Sequence, residues 1–187
     1  MPADRTKKRK AGFMLIVLMM VCVGSGGCGN SSSKDPMQDP KAVTTSSGEV
    51  IRYSDTQESV EEILGMETTL RYYKDHVVQG TNGTVTFFRE TDGEYRMVYI
   101  QIMDPSYTAY QGIKVGDQWE DVRDRLNPDL IDESFIIANL LLDDGKQIDA
   151  KIDRDEWEED WLVLSFVYDD EGIITTIYIQ DVQETRF

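Results

Sequence analysis

This 187-residue chain has few side chains of the kinds that perform catalysis. His76 is the only histidine, which excludes metal sites and catalytic pairs that need two. The sequence has no G-x-S-x-G nucleophile turn, no glycine-rich phosphate loop and no zinc-ligand spacing. Carboxylates are plentiful, but acid–base catalysis needs a converging pair, and no pattern here indicates one. We predict no catalytic residue, no metal, no cofactor and no enzymatic activity.

The densest group of carboxylates raises the question of calcium, which prefers clustered oxygen ligands. Seven acidic residues occur close together: Asp149, Asp153, Asp155, Glu156, Glu158, Glu159 and Asp160. Their spacing does not fit an EF-hand, because the glycine and the final glutamate are not in register. The pattern favours a solvated acidic loop, and a ligand or divalent-cation sensor using residues 143–160 is the alternative function.

The first 27 residues have the pattern of an export signal. Five basic residues lie between Arg5 and Lys10, an apolar run follows from Phe13 to Val23, and small residues end the segment. The apolar run is too short for a helix that spans a bilayer, which needs about 20 residues. We therefore predict a removable signal peptide over residues 1–27.

Gly26 and Gly27 directly before Cys28 resemble the lipobox of bacterial lipoproteins. The resemblance implies cleavage before Cys28, acylation of that cysteine with fatty acids such as palmitate, and attachment to the extracytoplasmic face of a membrane. Cys22 is a poorer candidate because bulky residues precede it. The alternative is an ordinary secreted protein with an unused cysteine.

Charge and cysteine content limit the partners of the remaining chain. The leader contributes +4 to the total of −16, which leaves about −20 for residues 28–187. Nucleic acids and anionic lipids attract basic proteins, so we predict no nucleic-acid partner. Both cysteines lie at or before residue 28, so the folded part must be stable without disulfides.

Two sequence blocks after the predicted tether of residues 28–47 indicate a duplication. With an offset of 62 residues, five identities lie between Ile51–Leu64 and Ile113–Leu126. With an offset of 79, five more occur: Phe87/Phe166, Gly93/Gly172, Tyr99/Tyr178, Ile100/Ile179 and Gln101/Gln180. The offsets differ by 17 residues, which predicts an insertion in the second copy. The repeats are assigned to residues 48–110 and 111–187.

Each copy has the pattern of one helix followed by one hairpin. Asp55 and Asp117 are predicted N-caps, since each is followed three residues later by Glu. Asp92-Gly93 and Glu171-Gly172 are predicted hairpin turns between β-rich runs. The expected fold is α+β: tandem αββ repeats forming one antiparallel sheet, with two helices on one face. The segment 134–142 fits either a strand or a buried helix.

Strand alternation assigns the two faces of this sheet. The face toward the helices should carry Val85, Phe87, Val98, Ile100, Leu164, Phe166, Ile177 and Ile179. The other face should carry Thr86, Val163, Ser165, Val167 and these partner-binding candidates: Phe88, Tyr95, Met97, Tyr99, Gln101, Thr176, Tyr178 and Gln180. Aromatic and hydroxyl side chains are typical of protein interfaces. We therefore predict a module that binds an extracytoplasmic protein, unless the insertion or the loop 105–110 covers this face.

The phrase from Gly112 through Val122 to Leu126 resembles the entry into the helix of a known group. That group contains the outer-membrane assembly lipoprotein BamE (SmpA/OmlA) and the β-lactamase inhibitory protein. The resemblance implies helix-plus-hairpin units and, for a tandem member, a concave sheet that contacts a protein partner. It does not imply inhibition of a β-lactamase, because folds are shared by proteins of different function.

Overall fold

The computed structural model describes residues 35–65, 71–73, 76–81 and 83–182. The predicted leader, Cys28 and the start of the predicted tether lie outside these residues. The described chain combines two short α-helices with strands in two antiparallel sheets, which confirms the α+β class. No helix in this part of the chain has the length and apolar character needed to cross a membrane.

A two-stranded ribbon begins inside the segment assigned to the tether. Strand β1 (Ala42–Thr44) pairs antiparallel with β2 (Val50–Arg52). Val43 is 1% exposed and packs in the main core. The backbone of Thr44 also exchanges hydrogen bonds with Thr108. The tether is therefore shorter than predicted, since residues from Ala42 onward belong to the fold.

The two helices begin one residue later than a cap at Asp55 or Asp117 implies. Helix α1 (Gln57–Leu64) is capped by Thr56, whose hydroxyl accepts the Ser59 N–H. Helix α2 (Trp119–Arg123) follows Gln118, which makes no side-chain cap. The predicted N-caps were wrong, although both helices lie where the sequence placed them.

Asp55 and Asp117 instead close the turn that leads into each helix. The Asp55 carboxylate accepts the Arg52 N–H at 2.7 Å, and the Asp117 carboxylate accepts the Lys114 N–H at 3.0 Å. A carboxylate that accepts a nearby backbone N–H is a common means of fixing such turns. Each aspartate thus orients its helix from outside the first turn.

The second sheet contains nine strands in the described residues. Its order is β3-β4-β5-β6-β11-β10-β8-β7, and β9 pairs with the other end of β8. The strands are β3 (Arg71–Tyr73), β4 (His76–Thr81), β5 (Thr84–Thr91), β6 (Glu94–Ile102), β7 (Asp132–Ser134), β8 (Ile137–Asp143), β9 (Lys146–Ile148), β10 (Leu162–Tyr168) and β11 (Ile174–Asp181). Strands β6 and β11, one from each half of the chain, pair at the centre.

Both predicted hairpins are confirmed. The β5–β6 turn has Asp92 and Gly93 with positive φ angles of 56° and 85°. Two successive positive φ angles give the turn the twist that neighbouring strands require. Gly172 lies in the β10–β11 connection with φ of 79°. The acid-glycine pairs therefore predicted both connections.

The main core lies between the helix-bearing face of this sheet, here called the inner face, and the elements packed on it. Large buried side chains from the sheet include Phe88, Ile100 and Phe166. Val60 and Val122, one from each helix, are fully buried against them. The loop 105–110 joins β1 on this side, so it does not cover the opposite, outer face.

The face assignment in the first hairpin was wrong on both strands: the faces of β5 were assigned the wrong way round, and a β-bulge changes the faces of the first residues of β6. The register shifts between Phe87 and Phe88, and Val98 is the extra residue of β6. Beyond a bulge the alternation of side chains reverses. Phe88 and Met97, assigned to the outer face, are 0% and 1% exposed in the main core.

Four further side chains of this hairpin lie on the face opposite to the predicted one. Thr86, opposite Ile100, is 1% exposed on the inner side. Tyr95 packs partly buried against the main core. Phe87 and Val85, both assigned inward, lie opposite Tyr99 and Gln101 on the outer face instead. The face assignments of the second hairpin agree with its register.

The undetermined segment forms β8, and the residues after it fold back over the outer face. Leu140 and Leu141 point to opposite faces and are both 0% exposed. A strand buried on both faces has a continuous apolar sequence, which explains why periodicity did not assign it. The cover on the outer side comes from the insertion after β8.

Candidate functional site

The outer face of the central strands carries two rows of side chains that cross the sheet. Cross-strand registers align Asn139, Ser165, Tyr178, Gln101 and Val85 in one row. They align Leu141, Val163, Gln180, Tyr99 and Phe87 in the other. The middle of each row is polar or aromatic, which is unusual for a face that is either fully solvated or fully buried.

Aromatic contacts organise the part of this face nearest β5. The rings of Phe87 and Tyr99 stack with centroids 4.4 Å apart and an interplanar angle of 26°. The rings of Tyr99 and Tyr178 are tilted, with centroids 5.8 Å apart. Contacts of this kind hold aromatic side chains in fixed positions. The three rings therefore form a preorganised surface.

Hydrogen bonds connect the same tyrosines through one glutamine. The Tyr99 hydroxyl donates to Gln101 Oε1 at 3.3 Å, and Gln101 Nε2 donates to the Tyr178 hydroxyl at 3.4 Å. Burial, with a smaller contribution from Tyr178, raises the pKa of Tyr99 well above its ordinary value of 10.0. Tyr99 therefore keeps its proton and remains the donor at physiological pH.

The insertion covers only the β8–β10 end of the outer face. Trp157, 5% exposed, and Ala150 pack on Leu141, Val163 and Val182. Side chains from Ile148, Ile152 and Trp161 border this second apolar cluster. The predicted alternative, in which the insertion hides the face, is thus correct for one half of it. Within the described ranges, the insertion leaves the half around Tyr99 and Tyr178 open.

A groove of about 340 Å³ lies where the covered half meets the open half. Its lining residues are Tyr99, Ile137, Asn139, Arg154, Trp157, Val163, Ser165, Val167, Tyr178 and Gln180. The exposed Arg154 holds its guanidinium carbon 5.4 Å from the centre of the Trp157 ring. A pocket of this size fits one side chain or a small molecule.

The structure brings together five of the eight predicted partner-binding residues. Tyr99, Gln101, Thr176, Tyr178 and Gln180 share the outer face, and three of them line the groove. Phe88, Tyr95 and Met97 lie on the inner side, as described above.

Sequence reasoning missed six residues of this region. Val85 and Phe87 were assigned to the wrong face, and Ile137 and Asn139 lie in the segment left undetermined. Arg154 and Trp157 belong to the stretch treated as a solvated acidic loop. A tryptophan among carboxylates was the available signal, since such a side chain is rarely left in water.

Two acidic residues of the insertion close local turns in the structure. Asp149 accepts the Lys151 N–H at 2.9 Å, and Asp153 accepts the Asp155 N–H at 3.1 Å. In the described ranges, no group of three or more His, Cys, Asp or Glu side chains is placed to hold a metal ion. The calcium alternative therefore gains no support from this geometry.

No protein-family model, curated protein or solved structure matches this chain.

Proposed function

We propose that this protein is a membrane-anchored extracytoplasmic lipoprotein whose open outer sheet face binds another protein. The observation that carries the proposal is the open half of that face. It exposes Tyr99, Tyr178 and Phe87 in part, beside an insertion that covers the other half. A sheet face left to water usually carries charged side chains.

The composition of the open half supports a binding role. Tyrosine and phenylalanine are enriched at protein interfaces, where they supply large contact areas at low entropic cost. The stacked and hydrogen-bonded arrangement fixes these rings before any partner arrives. Preorganised side chains lose less conformational entropy on binding than mobile ones.

The test of this surface compares two double variants for partner capture and for stability. Tyr99→Glu with Tyr178→Glu adds two charges to the open half. Thr91→Glu with Thr175→Glu adds two charges at exposed strand positions outside it. We expect the tyrosine variant alone to reduce partner recovery, about tenfold or more. Equal recovery by both folded variants would place the interaction elsewhere.

The proposed anchor is the lipid on Cys28. Cys28→Ala should abolish incorporation of labelled palmitate and release the protein from the membrane fraction, because no acyl chain would be attached. Cys22→Ala is the matched control and should have no effect. Labelling that survives in Cys28→Ala would contradict the lipobox interpretation.

We further propose that the fold is a tandem of αββ repeats, as the resemblance to the BamE group implies. Residues 62 apart share one turn geometry: Ser54 and Gly116 both have positive φ, of 68° and 96°. The carboxylates that follow them, Asp55 and Asp117, accept equivalent backbone N–H groups. These matched turns support a common origin.

The pairing of β6 with β11 also supports the repeat. Ile100, the equivalent of Ile179 at the offset of 79, pairs with Ile179 itself. Tyr99 pairs with Gln180, and Gln101 pairs with Tyr178, so exchanging equivalent residues reproduces the same pairs. An internal two-fold axis between the isoleucines requires this register.

Exchange of residues between the two turns tests their equivalence. Ser54→Gly should raise the free energy of unfolding by up to about 1 kcal/mol, because glycine adopts positive φ without strain. Gly116→Ser should lower it by a similar amount. A Cβ at Gly116 would meet no atom within 4 Å, so only the backbone conformation is probed. A denaturant titration in which Ser54→Gly lowers the free energy of unfolding, or Gly116→Ser raises it, would contradict the equivalence.

A further inference from the structure

The groove is distinguished from the rest of the molecule by its charge. Among its ten lining residues, the one charged side chain is Arg154. The chain as a whole has 35 acidic and 19 basic residues. Fields from distant charges are screened beyond about 8 Å at physiological salt, so the nearest charges decide what a small pocket attracts. The lining therefore supplies one positive charge and no carboxylate, and the exposed Asp153, Asp155 and Glu156 stand next to Arg154 in the chain.

Arg154 is available to a ligand. No carboxylate of the described residues lies within ion-pair distance of its guanidinium, whereas Arg52, Arg89, Arg96, Arg123 and Arg125 each have an acidic partner. Its guanidinium carbon lies over the Trp157 ring, and both residues line the groove. A guanidinium on an aromatic face keeps its N–H donors free for a carboxylate.

The polar side chains on the groove floor add further donors. Asn139 is 8% exposed, and its Oδ1 accepts the Ser165 hydroxyl at 2.7 Å. Its Nδ2 has no hydrogen-bond partner within the part of the chain that the structure describes. Tyr178 accepts from Gln101, which leaves its own proton for donation. The Asn139 amide and the Tyr178 hydroxyl thus offer donors on this floor.

We propose that the groove recognises a carboxylate attached to an aromatic or apolar group that the protein partner presents. The carboxylate pairs with Arg154, and the apolar group lies against Val163, Val167 and the Tyr99 ring. This inference rests on the proposed function and names the chemical group that the site accepts. The volume of the groove suits one such residue, an aromatic chain terminus in particular.

The probe is N-acetyl-L-phenylalanine, and its neutral primary amide is the matched control. Both are titrated to about 10 mM, which would saturate a site with a Kd near 1 mM. Binding is followed by NMR shifts of the Trp157 indole and the backbone amides. The variants are Arg154→Gln and the control Lys151→Gln, which removes an exposed charge of the same insertion outside the groove.

We expect the acid to bind about tenfold more tightly than the amide, because the charge-assisted pair is lost in the amide. Arg154→Gln should abolish that difference, and Lys151→Gln should retain it. The acid should also displace captured partner, whereas the amide should not. The inference is overturned if neither probe binds, if both bind equally, or if Arg154→Gln keeps the preference.

Two results separate this inference from the proposed function. If the acid binds in the groove and leaves captured partner in place, the ligand is a free small acid and the assignment to the partner is wrong. If the probes show no carboxylate preference while Tyr99→Glu with Tyr178→Glu still loses the partner, the protein-binding surface stands and only the carboxylate subsite fails.

Discussion

The two halves of the outer sheet face lie on the same strands and have opposite surroundings. At one end, Leu141 and Val163 are buried under Trp157 and form an apolar cluster. At the other, Tyr99, Tyr178 and Gln101 carry polar groups on partly exposed side chains. The half covered by the insertion is apolar, because burying a polar group without a hydrogen-bond partner costs free energy. The uncovered half can carry polar groups.

The comparison shows how an acid-rich insertion can serve the fold. Its carboxylates stay at the surface, while its tryptophan, alanine and isoleucines pack against the outer face of the sheet. The boundary between the halves is the groove, where Trp157 contributes to both. The insertion therefore sets the edge of the proposed binding surface.

The largest expected effect tests the covered half. Trp157→Ala should lower the free energy of unfolding by about 3–5 kcal/mol, because a buried indole is replaced by a cavity. Tyr178→Ala, in the open half, should cost clearly less because its ring is partly exposed. Urea titrations of both variants check the order. Equal losses would mean that the halves do not differ in packing.

A double-mutant cycle measures order within the open half. Phe87→Leu, Tyr99→Leu and the double variant should give a coupling of about 0.5–1.5 kcal/mol, because the two rings stack at 4.4 Å. The pair Tyr99 and Tyr178, tilted at 5.8 Å, serves as the reference and should couple less strongly. A coupling near zero for the stacked pair would show that these rings are not held in place.

A substitution at the exposed β7–β8 turn should raise the free energy of unfolding instead of lowering it. Phe135, 99% exposed with φ of 53°, begins the β7–β8 turn without burying its ring. Phe135→Asn should raise the free energy of unfolding by about 0.5–1 kcal/mol, since asparagine tolerates this backbone conformation better. Thermal melts against wild type measure the shift. A loss of stability would mean that the ring has contacts in solution.

The smallest effect is a pH dependence of stability. Because the pKa of Tyr99 is raised in the fold, its stabilising contribution is complete below the ordinary value of 10.0. As the pH rises above that value, the unfolded chain ionises first and the contribution is lost. Tyr99→Phe should flatten the decline in unfolding free energy above about pH 10. An unchanged decline would assign it to other groups.

Several elements were predictable because their signals are local. Acid-glycine pairs located both hairpins, and alternation assigned every inner residue of the second hairpin correctly. The first hairpin failed because apolar side chains, Phe87 and Phe88, occupy both faces there, so alternation had no unique solution. The bulge at Val98 is set by pairing with β5, which no local pattern reveals.

The candidate site was predictable in part for the same reason. Tyr99, Gln101, Tyr178 and Gln180 follow from alternation on β6 and β11. Arg154 and Trp157 could not be placed there, because their position depends on how the insertion returns over the sheet.

The sequence by itself determined the antiparallel hairpins, the two short helices and the acidic character of the chain. These follow from turn geometry, side-chain period and charge, which act between near neighbours. Only the tertiary structure decided the bulge, the central pairing of β6 with β11 and the half of the outer face that stays open. Those features depend on contacts between residues far apart in the sequence. Such contacts form only when the whole chain packs, so no local pattern predicts them.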